Sequence, residues 1–169
     1  MRIIVTGGFG FIGSSFVNLL GRRLPTAEIV VLDKMTYAAD PNNVKVPVKL
    51  IKEDICDVTA DQLGTYDYIV HFAAESHVDN SIKDGRPFIR TNVEGTFNLL
   101  ECAKKNPYLK KFVHISTDEV YGDMADLGFD AIANENYRCV CFGNVLLPGV
   151  IIVTPNIAMI VPIGVFLHI

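Results

Sequence analysis

Apolar residues along this chain gather in short runs, separated by glycines, acids and two stretches of helical spacing. "RIIVT" (Arg2 to Thr6), "EIVVLD" (Glu28 to Asp33), "VKLIKED" (Val48 to Asp54), "YDYIVHFAA" (Tyr66 to Ala74) and "KKFVHIST" (Lys110 to Thr117) read as five strands, rich in Val and Ile and bounded by turn residues. Between the first two, "FIGSSFVNLLGRR" repeats its apolar residues at helical spacing: Phe11, Ile12, Phe16, Val17, Leu19 and Leu20. "PFIRTNVEGTFNLLECAKK" (Pro87 to Lys105) predicts a long helix with Pro87 in its first turn. Its inward stripe is expected to be Ile89, Val93, Thr96, Phe97, Leu100 and Ala103. Strands alternating with helices predict an α/β fold whose parallel sheet is covered on both faces.

Glycines punctuate the first strand-to-helix junction. "TGGFGFIG" (Thr6 to Gly13) contains both Gly8-x-Gly10-x-x-Gly13 and Gly7-x-x-Gly10-x-x-Gly13. A glycine pattern alone is weak, but here it lies between a strand and a helix. Backbone without Cβ atoms can approach a pyrophosphate, and the helix N-terminus offers it N–H groups and positive dipole. Asp33 ends the second strand, twenty residues after Gly13. In a Rossmann-like, doubly wound sheet that is where a carboxylate accepts hydrogen bonds from a ribose hydroxyl. It also repels the extra phosphate of NADP, so NAD is the expected cofactor. Asp54 and Ile55 after the third strand, and Phe72, Ala73 and Ala74 after the fourth, suit either close approach of a flat ligand or ordinary tight packing.

Composition narrows the function classes. The 169 residues are half hydrophobic and one-fifth charged, enough for one domain with a core. A net charge of −4 without a Lys/Arg run argues against nucleic acid or an anionic membrane as partner. Cys56, Cys102, Cys139 and Cys141 form no C-x-x-C pair, so no metal site is expected and the thiols read as reduced, in a cytoplasmic protein. "MRIIVTGG" runs straight into a strand, and no secretory signal is expected before it. His71 and His114 sit in strands and read as packed or hydrogen-bonded structural groups; His77 receives no role.

Together, "TGGFGFIG", "VLDKMTYA", "EDICD", "HFAAESHVDNSI", "TNVEGTFNLLECA" and "FVHISTDEVYGD" resemble the extended short-chain dehydrogenase/reductases, the NAD-dependent epimerase/dehydratase family, and within it the dTDP-glucose 4,6-dehydratases. The resemblance covers residues 1–123. Its discriminating feature is Thr117-Asp118-Glu119, since sugar-nucleotide epimerases usually lack that pair of acids. It implies a lyase that converts dTDP-glucose to the 4-keto-6-deoxy sugar plus water, with NAD recycled. Glu119 would remove the C5 proton, Asp118 would protonate the departing C6 hydroxyl, and Thr117 would hydrogen-bond the sugar. The NAD contacts it implies are Phe11, Ile12, Asp33, Lys34, Met35, Thr36, Asp54, Ile55, Phe72, Ala73, Ala74 and Thr91, beside the Gly7, Gly10 and Gly13 loop. Glu75 and Ser76 would lie near both cofactor and substrate. It further implies a homodimer formed through helices flanking the sheet, the Pro87–Lys105 helix among them. Read without the resemblance, Asp118 and Glu119 are better taken as a pair of solvated loop acids.

The sequence departs from that family after Glu119. The family's Tyr-x-x-x-Lys is absent: the last lysine is Lys111, Tyr121 is followed four residues on by Ala125, and Tyr137 by Cys141. Relative to the family the sheet is truncated, with residues 1–128 expected as the NAD-binding domain and 129–169 as an atypical apolar segment. No Lys, Arg, Asp or Glu follows Arg138. Within the tail, "GVIIVT" (Gly149 to Thr154) reads as a sixth strand beside the fifth. Three readings of the tail stay open: a frameshifted or truncated gene product, a membrane segment over Val145 to Leu167, and a divergent segment covering the sheet. Pro148, Pro155 and Pro162 count against the membrane helix. Two functions stay open as well, a working dehydratase and a non-catalytic NAD-binding fragment.

Overall fold

The computed structural model describes residues 1–76, 82–116 and the backbone of 150–153. Among the described residues six strands form one parallel sheet: β1 (Arg2–Thr6), β2 (Glu28–Leu32), β3 (Lys49–Ile51), β4 (Tyr68–His71), β5 (Lys111–Ile115) and β6 (Val150–Val153). Their order is β3-β2-β1-β4-β5-β6. The chain thus reverses its direction of travel between β1 and β4, and the C-terminal ends of those two strands flank the crevice where a doubly wound sheet takes its ligand. The strand expected in "GVIIVT" is β6, with Phe112 opposite Val150 and Ile115 opposite Val153. Those four residues are therefore sheet, not membrane helix. No helix among the described residues is long and apolar enough to cross a membrane.

Successive residues of each strand go to opposite faces. Ile4, Val30, Leu32, Ile69 and Phe112 pack on one side with Leu63, Leu99, Leu100 and Ala103. Ile3, Val5, Ile29, Val31 and Val70 pack on the other with Val17 and Phe9. Both faces being covered, the strands need apolar residues at every position, which is why they read as runs and not as an alternation.

Helix α1 (Phe11–Arg23) covers the second face through Val17, and ends where Leu24 precedes Pro25. A short helix that the apolar pattern does not reveal, α2 (Ala60–Leu63), is fixed by a capping box: Thr59 Oγ1 accepts from Gln62 N–H and Gln62 Oε1 accepts from Thr59 N–H.

The long helix differs from expectation. It runs as α3 (Arg86–Phe88), a π-helical segment Ile89–Gly95, and α4 (Thr96–Lys104). Thr96, Leu99, Leu100, Cys102 and Ala103 are buried, whereas Ile89, Val93 and Phe97 are 59%, 48% and 50% exposed. The expected stripe was laid out at one α-helical period, and the wider π turns shift its phase. Gly95 marks the crossing point: a Cβ there would lie 2.6 Å from the Ile55 side chain.

Candidate functional site

A cleft opens along the C-terminal edge of β1, β2 and β4. Its rim begins at the turn after β1. Gly7 has φ +65°, and a Cβ on it would lie 2.8 Å from Ala73 N, so the β1 turn presses directly on the chain leaving β4. A Cβ on Gly13 would lie 2.2 Å from Gly7 O, so α1 starts in van der Waals contact with the same turn. Gly10 caps α1 in an extended conformation, without a side-chain cap and with no acid in the first turn. The first-turn N–H groups are left for an anion.

Asp33 forms the opposite wall, only 8% exposed. Its Oδ2 accepts from Phe9 N–H (3.0 Å) and its Oδ1 from Met35 N–H (2.8 Å). One carboxylate thus ties the glycine turn to the loop after β2, and each oxygen keeps a lone pair for a ligand hydroxyl. Asp40 N–H, donating to Phe9 O at 2.9 Å, makes a second tie. Replacing Asp33 by Ala removes the acceptor from two main-chain donors at once. The expected loss is about 1–3 kcal/mol of stability, measured by urea denaturation.

At the far end, Lys34 Nζ lies 2.7 Å from Asp54 Oδ2, and Asp54 Oδ1 accepts from Cys56 N–H at 3.0 Å. Burial pushes the Asp54 carboxyl up, but the Cys56 N–H and the Lys34 ammonium together hold it below its ordinary value. The same ion pair raises Lys34. Cys56 is pushed up to about 11, first by burial and then by Asp54, which makes it an unreactive thiol. Among the described residues Cys56 and Cys102 are free, and no His/Cys/Asp/Glu group could hold a metal.

Of the residues singled out from sequence, Gly7, Gly10, Asp33, Lys34, Thr36, Asp54, Ile55, Phe72, Ala73, Ala74, Glu75 and Thr91 line this one cleft. Gly13, Met35, Phe11, Ile12 and Ser76 do not line it. Gly13 is packed under the turn, and the Phe11 side chain is 86% exposed. Met35 instead takes φ 62°, allowing its N–H to reach Asp33. Leu32, Ala38 and Ala39 line the cleft without having been anticipated; the small pair in "TYAAD", so soon after Asp33, was the available signal. Thr117, Asp118 and Glu119, like His77, lie outside the described residues.

His71 is structural, as its strand position suggested. It is 1% exposed, with Nδ1 2.6 Å from Thr6 Oγ1 and Nε2 3.0 Å from Thr96 Oγ1. Burial, then the neighbouring His114, holds it well below the usual imidazole range.

Comparison with known proteins agrees with this geometry. The family model described as GDP-mannose 4,6 dehydratase matches residues 4–136. dTDP-glucose 4,6-dehydratase of Streptomyces niveus is 46% identical over 142 residues, covering 77% of this chain and 42% of that protein. The Mycolicibacterium smegmatis enzyme of the same name is 44% identical over 129 residues, covering 73% and 38%. The crystal structure of DesIV, a dTDP-glucose 4,6-dehydratase from Streptomyces venezuelae with NAD bound, superposes with a TM-score of 0.66 at 46% identity, covering 73% of this chain and 41% of that one. The chain therefore spans well under half the length of these relatives. With its parallel sheet in this order, its glycine turn and its Asp33 wall, the chain belongs to the NAD-dependent epimerase/dehydratase family represented by the GDP-mannose 4,6 dehydratase model.

Proposed function

We propose that this chain carries the NAD-binding part of a dTDP-glucose 4,6-dehydratase. The observation that carries the reading is the single cleft in which the glycine turn, Asp33, Asp54–Ile55 and Phe72–Glu75 converge. Its residues fit a dinucleotide. The uncapped start of α1 takes the pyrophosphate, Asp33 takes a ribose diol, and Asp54 with Ile55 takes the adenine. Lys34 is neutralised by Asp54, and so is a poor partner for the extra phosphate of NADP. Bound NAD supplies a reversible hydride acceptor for the sugar. In this reading Glu119 would remove the C5 proton and Asp118 would protonate the departing C6 hydroxyl, one base and one acid for a single elimination. Thr117 holds the sugar, with Glu75 and Ser76 at the junction of sugar and cofactor. The cytoplasm is the compartment that suits reduced Cys56 and Cys102.

The second reading, a non-catalytic NAD-binding fragment, is favoured by the missing Tyr-x-x-x-Lys. Without a base for the first oxidation, Asp118 and Glu119 have no acidified C5 proton to act on. Incubation with NAD and dTDP-glucose, read by mass spectrometry beside a full-length relative, decides between the two. A product one water lighter establishes the dehydratase; conversion by the relative alone establishes the fragment.

Homodimerisation follows from the same reading. Ile89, Val93 and Phe97 form one exposed apolar row at four-residue spacing, a large apolar face for a helix of a monomer. Sedimentation is expected to show a dimer for the native chain and a monomer for Phe97→Asp.

A further inference from the structure

A buried chain of hydrogen bonds links the cleft to the helix behind it. Ala73 N–H, on the cleft wall, donates to Thr6 Oγ1 (3.2 Å). Thr6 Oγ1 and His71 Nδ1 are 2.6 Å apart, His71 Nε2 and Thr96 Oγ1 are 3.0 Å apart, and Thr96 Oγ1 donates to Asn92 O at 2.8 Å. Thr96 has one hydroxyl proton, and Asn92 O, which is only an acceptor, takes it. His71 Nε2 must therefore carry the proton it shares with Thr96. A neutral ring then leaves Nδ1 as the acceptor for the Thr6 hydroxyl. Every member is satisfied, in one direction only. The ring closes at Asn92, whose carboxamide grips the Glu75 main chain from both sides: Glu75 N–H donates to Oδ1 at 2.8 Å, and Nδ2 donates to Glu75 O at 2.9 Å. Asn92 lies in the π-helical segment beside Thr91, which lines the cleft.

We propose that Thr6, His71, Thr96 and Asn92 are positioning residues, which lock the cleft wall Ala73–Glu75 and the Thr91-bearing π turn into one rigid body at the spacing the cofactor needs. The proposal rests on the NAD reading above only for what the cleft receives; the rigid body itself is testable in the chain alone. The residues come from β1, β4 and the helix, and they meet nowhere else.

The test uses Thr6→Val, which keeps the volume and removes the hydroxyl, with Thr6→Ser as the conservative rescue. Amide hydrogen exchange is read without ligand. In Thr6→Val, exchange at Ala73 and Glu75 is expected to accelerate about tenfold more than at Ile4, Val30 and Ile69, and Thr6→Ser to stay as the native chain. Nitrogen-15 imidazole shifts are expected to show protonated Nε2 and bare Nδ1 on His71. Acceleration spread evenly over wall and sheet, or the opposite tautomer, overturns the proposal. Titration of NAD into the same proteins separates the two readings. If the native chain takes no NAD yet Thr6→Val frees Ala73 and Glu75 selectively, the cofactor reading falls and the positioning role stands. If the native chain takes NAD and Thr6→Val binds it equally well, the positioning role falls.

Discussion

Gly7→Ala is expected to abolish measurable NAD binding and to cost about 2–4 kcal/mol of stability. Two penalties add. A residue with a Cβ is strained at φ +65°, and that Cβ would lie 2.8 Å from Ala73 N and 2.9 Å from Ala73 Cα. Neither neighbour is the end of a flexible side chain, so the wall must move with the turn. Gly13→Ala should be as severe, because its Cβ would lie 2.2 Å from Gly7 O. Gly10→Ala is the informative contrast. Gly10 has φ −70°, ordinary for any residue, and its Cβ would come no closer than 3.3 Å to Gly7 O. Its stability should fall by less than about 1 kcal/mol. Urea denaturation and calorimetric titration of the three variants check the order. Equal effects at all three positions would mean that the turn is not held by these two contacts.

Acid is expected to destabilise the protein well above the pH at which carboxylates protonate. His114 is lowered from 6.5 to about 4 by burial. His71 is also held well below its ordinary value, by burial and then by His114, whose ring centroid is 5.0 Å away. Between about 4 and 6.5 the unfolded chain binds protons that the folded chain refuses. Stability therefore rises with pH across this window. It is complete above about 6.5 and is lost as pH falls toward 4. From His114 alone the loss over the window is about 3 kcal/mol, a large share of a typical domain's stability. Urea midpoints at pH 7.5, 6.5, 5.5 and 4.5 measure it. His114→Gln should flatten the slope. A flat profile down to pH 4.5 would show that neither ring is held neutral.

The strands were legible from sequence because both faces of the sheet are buried, which leaves runs of Val and Ile no other use. The site was legible where chemistry constrains single residues: Gly7 by its φ, Gly13 by its contact, Asp33 by the two N–H groups it must receive. What was missed depends on geometry that local spacing does not encode. One π segment turned Ile89, Val93 and Phe97 outward while leaving Thr96, Leu100 and Ala103 inside. The capping box at Thr59 was readable, but it begins a helix too short to have an apolar period. Thr6, His71 and Thr96 lie 65 and 25 residues apart, and only the folded sheet brings them together.

Calorimetric titration of NAD and of NADP into the intact chain tests the central claim most directly. One NAD per chain is predicted, lost in Gly7→Ala and weakened in Asp33→Ala, with NADP bound far more weakly. Absence of NAD binding by a folded chain, or NADP bound as tightly as NAD, would contradict the assignment of Asp33 and the cleft to this cofactor.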